Sequence, residues 1–234
     1  MVSIVIPLFN EQDNVAPLTE EIRAAMKGHS YEIIFVDDKS TDGTLTAIPS
    51  GEDIRVIEFA KNTGQSGAMY AGIMAASGDR IALLDGDRQN DPTDIPAMLQ
   101  QIEEGFDLVC GYRRQRRDSL SKRITSRVAN FVRSRFTKDG VRDTGCTLKV
   151  MRTECRDALV PFYGMHRFIP ALIKGMGFRI TERAVNHRPR TAGVSKYGFG
   201  NRAIKATMDM FAVRWLLSRQ IRIQIARSDA PKAR

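Results

Sequence analysis

The chain has 234 residues, 42% of them hydrophobic, enough for one sizeable domain with an appended element and without the low-complexity tracts of a disordered protein. No apolar run approaches the roughly 20 residues of a membrane-spanning helix, and the N-terminus lacks a basic-then-apolar leader pattern, so neither a span nor a secretory leader is expected. The net charge of +9 divides unevenly: residues 1–111 carry 7 Lys/Arg against 19 Asp/Glu, and residues 112–234 carry 29 against 8. An acidic half able to hold a cation thus precedes a basic half suited to polyphosphate, nucleic acid or an anionic membrane surface.

In chain order, Val2–Leu8 is an apolar run of strand length, followed by the turn Phe9-Asn10-Glu11. Asn14 to Met26 sets Val15, Leu18, Ile22 and Met26 at helical spacing, with Asn14 as cap. A second strand, Tyr31–Val36, ends in Asp37-Asp38, and Ser40 to Ile48 reads as a short helix with an early Asp42. Arg55–Phe59 is a third strand, Gly67–Ala76 a small-residue helix suited to close packing, and Arg80–Leu84 a fourth strand. Asp91-Pro92-Thr93 opens a helix to about Glu104, and Asp107–Cys110 is a fifth strand. This alternation predicts an α/β fold of Rossmann type, a mostly parallel sheet with helices on both faces.

The segment Ile81-Ala-Leu-Leu-Asp-Gly-Asp-Arg-Gln89 is the most telling. With 17 Asp in the chain, about 1.2 Asp-x-Asp triplets arise by chance, so context must carry the reading. Here a buried strand delivers Asp85 and Asp87 to the sheet rim where α/β folds bind ligands, and Gly86 removes bulk between them. Hard oxygen donors of this kind suit Mg²⁺ or Mn²⁺ with a substrate diphosphate. Asn10-Glu11 and Asp37-Asp38 end the first and second strands and converge on the same edge. Asn10, Glu11 and Asp42 also fit simple helix caps, whereas adjacent Asp37 and Asp38 repel unless compensated, which points to ligand contact; Asp38 suits a base or ribose.

Other chemistries are excluded. No phosphate-loop motif occurs, and Gly198-Phe-Gly-Asn-Arg-Ala203 follows a polar loop rather than a first strand. Cys110, Cys146 and Cys155 are scattered and read as buried thiols of a reducing cytoplasm. Three histidines (His29, His166, His187) argue against a His-rich metal site.

Six motifs in order carry a resemblance. Ile4-Val-Ile-Pro-Leu-Phe-Asn-Glu11, Val36-Asp-Asp-Lys-Ser-Thr-Asp-Gly-Thr44 and Leu84-Asp-Gly-Asp-Arg-Gln-Asn-Asp-Pro92 resemble family-2 glycosyltransferases of the GT-A fold. Asn62-Thr-Gly-Gln-Ser-Gly67, Asp143-Thr-Gly-Cys-Thr-Leu-Lys149 and Asn186-His-Arg-Pro-Arg-Thr-Ala-Gly-Val-Ser-Lys-Tyr197 are similar to the branch that glycosylates polyprenyl phosphates, with dolichol-phosphate mannose synthases and undecaprenyl-phosphate glycosyltransferases. The resemblance covers roughly residues 2–202 and implies a catalytic domain over 1–200, with a nucleotide-sugar half (1–111) and an acceptor half (112–200). It implies that Pro7, Asn10, Glu11, Asp37, Asp38 and Asp85 bind the nucleotide sugar, and that Asp85, Asp87 and Gln89 hold Mg²⁺ or Mn²⁺. Arg190, Ser195 and Lys196 then lie near the acceptor phosphate, and Asp143 orients acceptor or sugar. Lys39 and Arg88 depart from the family's pattern, Arg88 with solvent as its simplest destination. Many bacterial relatives continue into two membrane spans, whereas this sequence stops at Arg234, which leaves a separate membrane-anchoring subunit open.

In the basic half, Arg113, Arg114, Arg116 and Arg117 precede a predicted helix over Ser119–Phe136 that bears Leu120, Ile124, Val128, Phe131 and Phe136 on one face. Lys122, Arg123, Arg127, Arg133 and Arg135 add charge along it; most read as solvated, with Arg113 and Arg127 as the candidates to grip phosphate. Asn201–Ser218 sets Ile204, Met208, Phe211 and Trp215 at helical spacing between basic residues. It suits either an interfacial helix with Trp215 at the headgroups or a helix packed on the domain, and it could also mediate a homodimer. Residues 201–227 thus form a helix and a short strand at Ile221–Ile225, and 228–234 a disordered tail.

The resemblance implies inverting transfer from a UDP- or GDP-sugar to a polyprenyl phosphate, at the inner face of the cytoplasmic membrane, with Asp87, Asp143 and Arg113 as catalytic residues. Two alternatives stay open: transfer to a saccharide hydroxyl, which needs a general base, and a non-catalytic basic protein. Nucleic acid is not expected as a partner, because three acidic clusters serve no purpose there and no aromatic–basic face is present.

Overall fold

The computed structural model describes residues 1–113, 131–189 and 200–221, without the side chains of 200–205. Seven strands form one sheet: β1 (Val2–Leu8), β2 (Tyr31–Asp37), β3 (Ile54–Glu58), β4 (Arg80–Leu83), β5 (Leu108–Arg113), β6 (Lys149–Arg152) and β7 (Ile180–Val185). Their order is β3-β2-β1-β4-β6-β5-β7, with β6 antiparallel to both neighbours and every other pairing parallel. The helices are α1 (Gln12–Ala25), α2 (Gln65–Ala75), α3 (Ile95–Glu103), α4 (Ile169–Gly175) and α5 (Gly200–Arg219).

Period-two alternation sorts the strands' side chains onto two cores. Ile4, Ile6 and Leu8 of β1 pack with Val15, Leu18 and Ile22 of α1 and Met98 and Ile102 of α3. Val5, with Val36 and Leu83, faces Ala68 and Ile73 of α2 and Leu172 of α4 on the other side. Burial on both faces explains why β1 and β2 read as continuous apolar runs. The small-residue helix packs closely, as expected: a Cβ at Gly72 would collide with Val5 and come within 3.1 Å of Val36 Cγ2. Pro7 is tolerated in a central strand for a geometric reason. The Val5 carbonyl accepts from Leu84 N at 3.1 Å, and residue 7 points the same way, past the end of β4, where no partner requires its missing N–H.

Three local expectations are corrected. Asn14 is not the cap of α1: Glu11 occupies that position, and Asn14 lies buried inside the helix with its Nδ2 donating to Glu11 Oε2 at 2.7 Å. Residues 41–48 form turns rather than a helix, because Asp42 Oδ1 accepts from Thr44 N (3.0 Å) and Gln12 Oε1 accepts from Gly43 N (2.8 Å). The helix expected to open at Asp91 begins as a 3₁₀ turn, Pro92–Asp94, capped by Asp91. Residue 111 lies within β5, so strands from the acidic and basic halves share one sheet.

Residues 131–137 are helical, and the rest of the expected 119–136 helix lies outside the described residues, as do 222–225 and the tail. The helix α5 presents two unlike faces. Val213 is buried in the core with Met210, Leu216 and Leu217 beside it, whereas Met208, Phe211 and Trp215 are 67%, 58% and 64% exposed. Phe136 meets Phe211 edge-on at 4.9 Å. No described helix is long and apolar enough to cross a membrane. Cys110, Cys146 and Cys155 are buried and free, and burial pushes their thiols up to about 12, 11 and 12.

Candidate active site at the sheet edge

β1, β2 and β4 run parallel and end on one edge, and each is followed by a non-glycine residue in the left-handed region: Asn10 (φ 54°), Lys39 (φ 63°) and Arg88 (φ 60°). Such residues are uncommon, and their concentration on one edge marks backbone held under strain where a site is built. The two family departures, Lys39 and Arg88, are thus two of these strained positions. Asn10 ties the first two turns together: its N donates to Ser40 Oγ (3.0 Å) and its Oδ1 accepts from Thr41 N (2.8 Å). Glu11 N donates to Thr44 Oγ1 at 2.8 Å.

Asp37 and Asp38 are both buried, but their expected mutual repulsion does not call for a ligand. Adjacent strand residues point to opposite faces. Asp37 accepts from Ser40 N (3.1 Å) and Ser40 Oγ (2.5 Å), closing its own turn. Asp38 Oδ1 accepts from Thr63 N (2.6 Å) and Oγ1 (3.1 Å), and Oδ2 from Gly64 N (2.7 Å), which holds the loop entering α2. Backbone amides supply the compensation that sequence reasoning had assigned to a ligand.

Asp85 and Asp87 are built differently. A Cβ at Gly86 would come 2.6 Å from Leu8 Cδ2, so only glycine lets this turn lie against β1. Asp85 accepts from Gln65 Nε2 at 2.8 Å and from Thr147. Its carboxyl is nevertheless pushed up to about 6, first by burial and then by the charge of Asp87, against the pull of Thr147, Lys149 and Gln65. Asp87, 7% exposed, accepts from Gln89 N at 3.1 Å. Among the described residues no group of three His, Cys, Asp or Glu side chains is arranged for a metal. Two crowded carboxylates with an amide alongside nevertheless fit Mg²⁺ or Mn²⁺, which bind through one or two carboxylates and complete their shell with water and phosphate.

Arg88 does not point to solvent: its Nε and Nη2 donate to Glu21 Oε1 at 3.1 and 2.5 Å. Glu21 Oε2 accepts from Arg188 Nη1 at 2.7 Å, and the other nitrogen of Arg188 lies 2.7 Å from Asp91 Oδ1. Arg188 N also donates to Gln89 O at 2.9 Å, and Asn186 N to Asp94 Oδ2 at 2.7 Å. Residues 186–188 are therefore stitched to the segment that carries the aspartates.

Beside Asp85 lies a cavity of about 320 Å³ with Met69, Leu83 and Ile169 as apolar lining. Asp143, on its wall, takes a two-pronged contact from Arg113: Nε to Oδ2 at 2.8 Å and Nη2 to Oδ1 at 2.9 Å. Gly145 makes room for that pair, since a Cβ there would lie 2.8 Å from Arg113 Nη2. Arg113, expected to grip phosphate, is thus engaged with Asp143. Arg133, expected to line a charged helix surface, is buried against Asp139 and Val141 O. Phe131, placed on the helix's apolar face by its spacing, is 71% exposed. Arg127, Arg190, Ser195 and Lys196 lie outside the described residues.

Sequence reasoning assigned no role to Gln65, Thr147, Lys149, His166 or Arg167, all of which line the cavity. The first three stand inside quoted motifs, and a lysine beginning an otherwise buried strand was a usable signal. His166 and Arg167 gave none.

Residues 3–159 match the family described as Glycosyl transferase family 2. Dodecaprenyl-phosphate galacturonate synthase of Rhizobium johnstonii is 42% identical over 226 residues, covering 92% of this chain and 67% of that protein. Undecaprenyl-phosphate 4-deoxy-4-formamido-L-arabinose transferase of Yersinia pestis is 39% identical over 203 residues, covering 84% of this chain and 62% of that protein. The chain thus spans about two thirds of the length of these relatives. Glucosyl-3-phosphoglycerate synthase from Mycobacterium tuberculosis, solved with Mn²⁺, UDP and phosphoglyceric acid, superposes with a TM-score of 0.69 at 21% identity, covering 94% of this chain and 78% of that one. At that identity the likeness establishes a shared GT-A-like fold.

Proposed function

The chain belongs to glycosyl transferase family 2, and from that premise we propose that it moves a sugar from a UDP- or GDP-sugar onto a polyprenyl phosphate with inversion at the anomeric carbon. The observation that carries this reading is the Asp85–Asp87 pair, where burial and the charge of Asp87 leave Asp85 in want of a cation, with Asp85 lining a cavity that also holds basic side chains. The names of the two relatives share a polyprenyl phosphate and differ in the sugar, which supports the acceptor class and leaves the sugar open.

Asp85, Asp87 and Gln89 are the residues that would hold Mg²⁺ or Mn²⁺, which supplies positive charge to the departing diphosphate. Asn10, Glu11 and Asp38 shape the nucleoside end of the crevice, largely by fixing its loops. An acceptor phosphate oxygen attacks the anomeric carbon, the bond to the donor's phosphate oxygen breaks, and the electron pair leaves with the nucleoside diphosphate. The acceptor phosphate, with a second pKa near 6, is already ionised near neutral pH, so no proton must be removed. Asp143 fits that absence of a base, since both its oxygens are engaged by Arg113. The pair instead holds Arg113 beside the cavity. Arg190, Ser195 and Lys196 complete the acceptor site on the family's pattern, with Arg127 of the basic segment as a further candidate. Met208, Phe211 and Trp215, exposed on one face of α5, support peripheral contact with the membrane that carries the lipid.

The test is turnover of UDP- and GDP-sugars with undecaprenyl phosphate, with and without Mn²⁺, alongside calorimetry of UDP and GDP. Metal-dependent binding of one nucleotide and a lipid-phosphate sugar product are expected. Undiminished turnover in excess chelator, or product only on a saccharide hydroxyl, would overturn the reading.

A further inference from the structure

The opening turn of α2 is pinned from behind, and two adjacent side chains on it reach separate parts of the cavity lining. Asp38 accepts from the amides of Thr63 and Gly64, and Asn62 Nδ2 donates to Asp38 O at 2.9 Å. Gly64, in the left-handed region (φ 81°), supplies the bend into the helix. A Cβ at Gly67 would come 2.5 Å from Thr63 Oγ1, so glycine there lets Thr63 fold back toward Asp38.

Gln65 and Ser66 follow directly. Gln65 is half-buried, lines the cavity and donates from Nε2 to Asp85 Oδ1 at 2.8 Å. Thr147, from the segment before β6, also bonds Asp85, and the charge of Lys149 acts on it. Partners of this kind aim a carboxylate, because an oxygen engaged on one side leaves its remaining lone pairs in a fixed direction. Ser66, 6% exposed, serves another part of the lining. Its Oγ accepts from Gly164 N at 3.0 Å and lies 2.8 Å from His166 Nδ1. A hydroxyl has one proton, and among the described residues the His166 ring is the acceptor within reach of it. Nδ1 therefore accepts, and the neutral ring carries its proton on Nε2. A Cβ at Gly164 (φ 95°) would lie 2.8 Å from Asp209 Oδ2, so this loop is pressed between α2 and α5. His166 lines the same cavity as Asp85.

We infer that Gln65 and Ser66 are the positioning pair of this site: Gln65 aims Asp85 at the bound cation, and Ser66 sets the place and the tautomer of His166 in the cavity lining. The inference rests on the glycosyltransferase reading above and deepens it by assigning residues that act through others. Neither side chain contacts the reacting atoms in this role. Because the two are consecutive on one helix whose entry is tied to Asp38, the cation end and the His166 loop are held at a set separation.

The experiment uses the full chain and reads Mn²⁺ binding by calorimetry, in the presence of whichever of UDP and GDP the wild type binds, beside steady-state kinetics with undecaprenyl phosphate. Gln65→Met keeps the length of the side chain and removes its donor. Mn²⁺ affinity should then fall about tenfold to a hundredfold, as it does when a metal-binding carboxylate loses its hydrogen-bond partner. The KM for undecaprenyl phosphate should stay within about twofold, since no acceptor contact is removed. Ser66→Ala should do the opposite, leaving Mn²⁺ affinity within about twofold and lowering kcat about tenfold through misplacement of the loop. With three histidines in the chain, ¹⁵N spectra of histidine-labelled protein read the ring directly. His166 should be the Nε2–H tautomer in wild type and a mixture in Ser66→Ala.

Unchanged Mn²⁺ affinity in folded Gln65→Met would overturn the inference, and wild-type turnover would leave the glycosyltransferase reading standing. Equal losses of Mn²⁺ affinity in both variants would also overturn it, making the pair a common support of the helix. A wild type that binds neither nucleotide would remove both readings. Should Ser66→Ala fail to fold, the wild-type tautomer decides its half, since a neutral His166 protonated on Nδ1 would overturn the assignment.

Discussion

Two strand ends on the same edge each carry a pair of aspartates, and they have opposite fates. At the end of β2 the acids are adjacent, point to opposite faces, and are satisfied by Ser40, Thr63 and Gly64. Beyond β4 they are two residues apart with a glycine between, and burial first, then the charge of Asp87, pushes the Asp85 carboxyl up to about 6. The difference separates a loop anchor from a proposed cation site: the first pair is satisfied by the loops around it, whereas the second pair stays crowded. Counting carboxylates does not distinguish the two. Asking where their hydrogen bonds go does.

The sharpest way to break this contrast is to remove one acid from each pair. Asp87→Asn should lower transfer by at least about a thousandfold, since the cation that Asp87 is proposed to help hold would offset several kcal/mol at the leaving group. Its fold should survive, because the substitution relieves repulsion and leaves an amide oxygen to accept from Gln89 N. Near-normal turnover by a folded Asp87→Asn variant would remove the residue from the cation site. Asp38→Ala should do the reverse, losing about 2 kcal/mol of stability by orphaning the amides of Thr63 and Gly64. Urea denaturation with an unchanged slope would read that loss, and an unaltered midpoint would show that the amides find water at no cost.

The pH dependence sharpens the contrast. Asp85 holds its proton to a higher pH when folded, about 6 against an ordinary 3.8. Its contribution to the stability of the metal-free protein is therefore present below about 3.8 and is lost as pH rises through about 6. A bound divalent cation needs the ionised form, so Mn²⁺ affinity should fall about tenfold per pH unit below 6. Calorimetric titrations at pH 5, 6 and 7 measure this directly, and a flat profile would mean that Asp85 stays outside the coordination.

The N-terminal half was legible because its strands are doubly buried. Val2–Leu8 and Tyr31–Asp37 read as unbroken apolar runs, and their observed bounds differ from expectation by at most one residue. β6 and β7 were not legible. Lys149–Arg152 is four residues long with a charge at each end, and Ile180–Val185 is largely half-buried at the sheet's edge, so neither shows a clean period. The insertion of β6 between β4 and β5 is a long-range pairing with no local signature, yet it is what brings Lys149 beside Asp85. Hence Asp85 and Asp87 could be singled out from a local context of strand, glycine and turn, while the basic side chains of the cavity could not. The partners of Asp38 were hidden for a related reason, since the Thr63 amide that it accepts from is 25 residues away.

The smallest expected effect concerns the connection between the two sides of the site. Glu21 receives Arg88 from the aspartate-bearing turn and Arg188 from the segment leading toward Arg190 and Lys196. Both contacts are partly exposed, so the ion pairs contribute little to stability, and Glu21→Gln should leave the melting transition within a few degrees of wild type. Its consequence should lie in alignment. With one charge removed, Arg188 keeps Asp91 and Gln89 O, whereas Arg88 loses its carboxylate partner and the strained turn at residue 88 relaxes. The KM for polyprenyl phosphate should rise about threefold to tenfold while the KM for the nucleotide sugar changes less, because only a small misplacement is introduced. Equal changes in both constants would mean that Glu21 supports the whole edge rather than the junction between donor and acceptor sides, and that the two arginines on it are separate surface pairs.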